Sequence, residues 1–328
     1  MLSCKADKQS AIDSHLQSKA TSTLESKLSE LNALSGQIII MEVQSGQIKA
    51  LVGLERKDSA TYQECKNFAV RQASGLMQPI SLLAALESGR VQTEEGFDTG
   101  DGILAVDGDT IKDHNWRRGG YQYLTNKQGV MVSSNIMTVL QTQQAYGDNP
   151  QGYFTQLDKM SYGKPAMIEG IEDISPASFI IPKGSTTASL EWTCIGYNQL
   201  ISPIQTLTFY NAIANMGVMV KPQLYKDSVT VINPQIASKA NLDFIREALT
   251  ETVSKGLGKP ASSSKVQVVG KPGNIQTDTD RYVVSFCGYF PADNPQYCMI
   301  VVIDKEGLPA SGGLMAGDVF GQIAEAIY

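Results

Sequence analysis

Residues Phe286 to Asp304 read FCGYFPADNPQYCMIVVID. Two β-rich runs, Tyr282 to Phe290 and Gln296 to Ile303, flank a Pro291-Ala292-Asp293-Asn294-Pro295 loop. Proline cannot donate to a sheet ladder, and Asp and Asn favour turns, so the stretch predicts two strands joined by that loop. Paired so, Cys287 and Cys298 share a face but sit diagonally, roughly 7 Å or more apart, and no disulfide is expected. Upstream, Lys265 to Gly270 is a further β-rich segment; downstream, Val319 to Tyr328 is a closing helix. The other end of the chain carries a matching hairpin. Gln37 to Val43 is apolar and β-branched, Gln44-Ser45-Gly46 is a turn, and Gln47 to Gly53 returns. Before it, Ile12, Leu16, Ala20, Leu24, Leu28, Leu31 and Leu34 recur at helical spacing, which predicts an amphipathic helix over 11–34 with Gly36 as its stop. Between the two ends, Ala73 to Pro79 opens a helix over Ile80 to Leu86. Residues 96–123 are Gly- and Asp-rich loop and short strand, and helical patterns cover 126–146 and 203–216. A hairpin, then helices, then strands, then a helix makes an α+β chain. We expect an antiparallel sheet of about five strands drawn from both ends, flanked by the first and last helices. Residues 1–10 read as a tail, 11–328 as one domain, and about 65–220 as a mostly helical subdomain.

Composition narrows the function. Apolar residues make up 42% and charged residues 18% of 328 residues, which excludes a disordered chain. No run approaches the ~18 consecutive apolar residues of a membrane helix. A net charge of −6 argues against nucleic acid as a partner. Only His15 and His114 are histidines, so a multi-histidine metal site is not expected, and a Ser-His-Asp triad has little to draw on. The five cysteines include no C-x-x-C pair, which excludes zinc ribbons and thioredoxin-like sites. There is no phosphate-binding loop of the G-x-x-x-x-G-K-[ST] type and no G-x-S-x-G elbow. Gly256-Leu257-Gly258-Lys259-Pro260-Ala261 matches a dinucleotide fingerprint only superficially, because three serines and not a helix follow it.

Several phrases in fixed order carry a resemblance. They are IDSHLQ at 12–17, GQIIIMEVQSGQIKALV at 36–52, Ile195-Gly196 with ISPIQTLTFYNAIAN at 201–215, and the terminal strands quoted above. Together they resemble the transpeptidase domain of penicillin-binding proteins, from about residue 11 to residue 328. The resemblance implies a transpeptidase/β-lactamase-like fold and acyl transfer on D-Ala-D-Ala peptides, with no cofactor and no metal. That chemistry needs S-x-x-K, S-x-N and K-T/S-G-T motifs in one cleft. A serine attacks the carbonyl and a lysine one helical turn later takes its proton. A second serine and an asparagine relay protons and hold the substrate. A second lysine attracts the substrate's carboxylate, and two backbone N–H groups form the oxyanion hole.

Ser133-Ser134-Asn135 matches the second motif in full, although the same three residues would also serve as a helix N-cap. Lys271-Pro272-Gly273-Asn274 occupies the place of the third. It keeps Lys271 and Gly273, while Pro272 stands for a hydroxyl residue and Asn274 for the final threonine. A proline there requires an edge strand. The first motif fails. Ala73-Ser74-Gly75-Leu76-Met77-Gln78-Pro79 aligns so that Gly75 stands at the nucleophile and Gln78 at the general base. Glycine has no nucleophile and glutamine is no base at neutral pH. Ser74 is one residue out of register, about 100° around a helix. The strings Ser161 to Lys164 and Ser262 to Lys265 match S-x-x-K by chance.

The expected function is therefore a penicillin-binding-protein-like pseudoenzyme of the cell envelope. It would bind peptidoglycan stem peptide, or a β-lactam-like ligand, weakly and non-covalently through Lys271, Gly273, Asn274, Ser133 and Asn135, or scaffold envelope protein partners. The alternative is an active D,D-transpeptidase or carboxypeptidase with a relocated serine nucleophile. The implied location is the periplasmic side of the cytoplasmic membrane. Leu2-Ser3-Cys4 faintly resembles a lipidation site at Cys4.

Overall fold

Ile38, Ile39, Ile40 and Met41 are all completely buried, yet they belong to two different cores. Successive strand residues point to opposite faces, so a continuous apolar run marks a strand covered on both sides. In the computed structural model, which describes residues 8–59, 61–69, 74–106, 108–172, 174–179 and 187–328, that strand lies inside the main sheet.

The main sheet has six strands: β1 (Ser35–Glu42), β2 (Ile48–Arg56), β3 (Tyr62–Glu64), β4 (Val269–Asp278), β5 (Arg281–Phe290) and β6 (Tyr297–Glu306). Their order is β4-β5-β6-β1-β2-β3, and every neighbouring pair is antiparallel. The strand from the start of the chain pairs with the last one, Ile38 opposite Val301 and Ile40 opposite Met299. The sheet therefore joins both chain ends, as the sequence indicates, with one strand more than the five expected. The addition is β3, three residues long. It is held where Tyr62 places its hydroxyl 2.8 Å from the carbonyl oxygens of Leu28 and Ala33.

One face of the sheet is covered by α1 (Ser14–Leu31) and α9 (Asp318–Ile327), which bring Leu24, Leu28, Phe320 and Ile323 onto Ile38, Ile40, Phe286 and Val301. Each such fully buried side chain contributes about 1.5–3 kcal/mol. The helix α1 stops earlier than expected. Asn32 adopts φ 47° and donates its N–H to Leu28 and Ser29. Gly36 is not the stop but the second residue of β1, where a Cβ would come within 2.9 Å of both Leu24 and Leu28. The absent side chain lets the helix lie flat on the strand.

The other face carries the helices that position the site. They are α2 (Gln78–Glu87), α3 (Asn126–Met131), α4 (Asn135–Tyr146), α5 (Pro150–Lys159), α6 (Thr187–Cys194), α7 (Pro203–Ala214) and α8 (Lys239–Ser254). The helical pattern over 126–146 is thus two helices, broken at Val132-Ser133-Ser134. The segment expected as a strand at Lys265 to Gly270 forms one only from Val269, and β4 continues to Asp278. Cys287 and Cys298 are buried free thiols, diagonal across β5 and β6 with Cys287 opposite Ile300 and Tyr289 opposite Cys298. Cys4 lies outside the described residues.

Candidate functional site

Three elements meet at one cleft of about 620 Å³. The first is the turn before α2. Ser74 donates its N–H to Gly196 O at 3.0 Å, and Tyr210 on α7 donates its hydroxyl to Leu76 O at 2.9 Å. The turn is therefore pinned from below on both sides of Gly75. Pro79 fits in the first turn of α2, where its missing N–H has no helical partner to lose.

The second element is the α3–α4 junction. Here the Ser-Ser-Asn string serves two purposes. Ser134 is the N-cap of α4, accepting from Met137 N at 3.0 Å and donating to Asp113 Oδ2 at 2.7 Å. Asp113, fully buried, also accepts from Ile136 N at 3.1 Å. Burial raises its pKa, opposed by these hydrogen bonds. Ser133 is free of that duty. It stands at φ 54°, an uncommon conformation for a residue with a side chain and one found where function holds it. Its hydroxyl turns into the cleft. Asn135 donates Nδ2 to Lys112 O at 3.1 Å, and this fixes its Oδ1 toward Gln78, whose Nε2 donates to it at 2.9 Å. Gln78 Oε1 is left buried without a partner. Gln78 thus spans from α2 to α4 without carrying a charge.

The third element is β4, an edge strand, where Pro272 costs no ladder bond to a further strand. Lys271 is completely buried and donates to the Ser133 hydroxyl and, at 2.9 Å, to Pro272 O. Among the described residues no carboxylate forms a salt bridge with it. Burial without a counter-charge lowers its pKa to about 7. Gly273 and Asn274 face the turn at Gly75. A Cβ built on Gly75 would lie 2.5 Å from Asn274 N, and one built on Gly273 would lie 2.8 Å from Gly75 C. The two backbones are in contact, and a side chain at position 75 has no room. Asn274 donates Nδ2 to Ala310 O at 2.8 Å, tying β4 to the loop that forms the opposite rim.

Of the seven residues expected at the site, Gly75, Gln78, Ser133, Asn135, Gly273 and Asn274 line this cleft. Lys271 lies beneath it, covered by Ser133. The other S-x-x-K strings are elsewhere: Ser161 Oγ accepts from Asn233, while Ser263 and Ser264 bind Glu325 near the end of α9. Sequence reasoning missed the walls. Lys112 ends the short strand Asp109–Lys112 and His114 follows it, Tyr197 comes from the α6–α7 link, Leu257 from a turn after α8 and Leu314 from the short π-helix Gly312–Gly317 before α9. No periodicity marks such residues. His114 bonds Tyr121 at 2.9 Å, and burial lowers its pKa.

A turn-borne helix, a Ser-x-Asn junction and a lysine-bearing edge strand converge on one cleft, with Gly75 in the turn and Gln78 at the head of the helix. The chain belongs to the penicillin-binding protein transpeptidase family, whose domain matches residues 36–325. The Peptidoglycan D,D-transpeptidase FtsI homolog of Mesostigma viride is 22% identical over 97% of this chain and 60% of its own length. Stage V sporulation protein D of Bacillus subtilis is 26% identical over 87% of this chain and 48% of its own. The chain thus spans about half to three-fifths of these curated relatives. The transpeptidase domain of Burkholderia pseudomallei penicillin-binding protein 3 superimposes with a TM-score of 0.82 at 24% identity, covering 97% of this chain and 94% of that one, which shows the fold. Among the described residues no helix is long and apolar enough to cross a membrane.

Proposed function

We propose that this is a cell-envelope domain of the family that has lost acyl transfer. It holds peptidoglycan stem peptide or a β-lactam-like ligand non-covalently, or scaffolds envelope proteins from the same surface. One observation carries the reading: Gly75 supplies no nucleophile, and the backbone of β4 occupies the space into which a side chain there would project. Gln78 removes the base at the same time, and groups of this kind act as a unit. The retained cation lies one layer down, so attraction for an anion is modest. We expect a dissociation constant for a D-Ala-D-Ala peptide nearer millimolar than micromolar, about −4 kcal/mol.

Intact-mass spectrometry after long incubation with penicillin tests the reading, with an unmodified mass as the expected result. One observation favours a second reading, an acyltransferase with a relocated nucleophile. Ser133 faces the cleft with a buried lysine hydrogen-bonded to its hydroxyl, the arrangement of a nucleophile and its base. A stoichiometric adduct abolished by Ser133→Ala would establish that reading and overturn the first.

A further inference from the structure

The cleft has an unusual charge balance for this chain. The protein carries 33 acidic residues against 27 basic ones, yet among the described residues no carboxylate lines the cleft. Its ionisable lining groups are Lys112, His114 and Tyr197. Lys112 places its ammonium 4.5 Å from the centre of the Trp116 ring, and among the described residues it forms no salt bridge. Behind Ser133 stands Lys271, also without a carboxylate. The polar floor therefore offers positive potential and hydroxyl or amide groups, and the nearest carboxylate, Asp113, is turned away from the cleft into its hydrogen bonds with Ser134 and Ile136 N.

The walls are of the opposite character. Ile195, Leu257, Pro260, Pro272 and Leu314 supply apolar surface. Leu314 is 67% exposed and Leu257 40% exposed, on adjoining segments, since a Cβ on Gly313 would lie 2.4 Å from Leu257 O. Two large apolar side chains left exposed at a cleft mouth are a binding feature more than a folding one. The volume, about 620 Å³, is that of a small-molecule site with an apolar lining and a few polar groups that orient the ligand.

We infer that the cleft selects amphipathic monoanions: a carboxylate head held at Lys112 and the Ser133 hydroxyl, and an apolar body laid along Leu257 and Leu314. The inference rests on the non-covalent reading above and names the chemical class of its ligand. Charge complementarity fixes the head and the exposed leucines fix the body. A hydrophilic peptide carboxylate would satisfy only the first.

The test compares three carboxylates of equal charge, hexanoate, dodecanoate and N-acetyl-D-alanyl-D-alanine, by amide NMR titration of the full chain. A fully buried methylene strengthens binding about fourfold, and in an open cleft about half of that surface is covered. Dodecanoate should therefore bind at least about tenfold more tightly than hexanoate and than the dipeptide, with shifts at Asn274 and Gly313. Lys112→Gln should weaken dodecanoate about fivefold and flatten its salt dependence while preserving the advantage of the longer chain. Leu257→Ser and Leu314→Ser should abolish that advantage, with thermal melting unchanged because both side chains are exposed. A dipeptide that binds as tightly as dodecanoate overturns the amphiphile and leaves the non-covalent reading standing. Dodecanoate binding unaffected by both leucine variants places the ligand elsewhere and overturns it as well. No shifts in the cleft with any of the three overturn both.

Discussion

At position 75 the absent side chain decides more than the absent hydroxyl. On the reading proposed above, Gly75→Ser with Gln78→Lys would return a nucleophile and a base in sequence, but the new Cβ would sit 2.5 Å from Asn274 N. Overpacking of this kind costs about 1–3 kcal/mol and displaces backbone. The double variant is expected to be less stable in urea and to remain unlabelled by fluorescent penicillin; stoichiometric labelling would show that β4 yields. Lys271 gives a second expectation. Burial lowers its pKa from 10.5 to about 7, so between these values the unfolded chain holds a proton that the folded chain does not. The folded state therefore gains from this residue as pH rises through that window, by up to about 1.4 kcal/mol per pH unit, and carries the full cost below it. Comparing urea midpoints of the wild type and Lys271→Met from pH 7.5 to 9 should show the variant lacking this gain. Parallel curves would mean that Lys271 keeps its proton. The strings around Gly75, Ser133 and Lys271 could be picked out in the sequence because they are local, whereas their meeting at one cleft is a product of the fold. The burial of Lys271 was not legible, because it depends on Ser133, 138 residues away. The split of Ser133-Ser134-Asn135 between a cleft hydroxyl and a helix cap was not legible either, since both readings use the same letters.

Strands and helices were legible where burial is periodic and blurred where it is not. The hairpin at Gly36 to Val52 and the final pair of strands carry alternating or continuous apolar runs, and both form as the pattern indicates. β3 has only three residues and shows no pattern of its own; a tyrosine hydroxyl and one neighbouring strand define it. Leu242, Ile245, Leu249 and Val253 of α8 recur at the helical spacing of α1, but between the polar and Gly-rich stretches around them this helix was not read from the sequence. The end of α1 was misplaced because asparagine, like glycine, can take the left-handed conformation of a cap. For the strand pair β5 and β6 the register yields a chemical expectation. Cys287 and Cys298 are diagonal and not directly opposite, and burial raises the Cys287 thiol well above its ordinary pKa. Thiolate is the reactive form, so Cys287 should resist oxidation in the folded state. Thiol titration of the denatured, non-reduced protein should find both free, whereas a cross-linked peptide joining them would contradict the register.

Across the whole molecule the main sheet acts as a partition. The layer of α1 and α9 packs on one face, and the cleft is lined by the head of α2, the α3–α4 junction, the middle of β4 and the residues Gly312 to Leu314 that lead into α9. No residue of α1, β1 or β2 lines the cleft. Stability and ligand binding should therefore separate. Leu24 is completely buried between α1 and the sheet, where it meets the space left by Gly36. Leu24→Ala removes three buried carbon atoms and leaves a cavity that the strand cannot fill, at a cost of about 3 kcal/mol. The same substitution moves neither Ser133, Lys271 nor the pinned turn at Gly75. We expect the urea midpoint to fall while, in the fraction that remains folded, the affinity for a carboxylate ligand and the pH-dependent gain from Lys271 stay at wild-type values. Tyr210→Phe should behave in the opposite way. It removes one buried hydrogen bond, to Leu76 O, at about 1–2 kcal/mol, but that bond holds the turn carrying Gly75. Its cleft should therefore respond more strongly than its stability. If Leu24→Ala weakens ligand binding as much as Tyr210→Phe does, the two faces are coupled through the sheet and the partition does not hold.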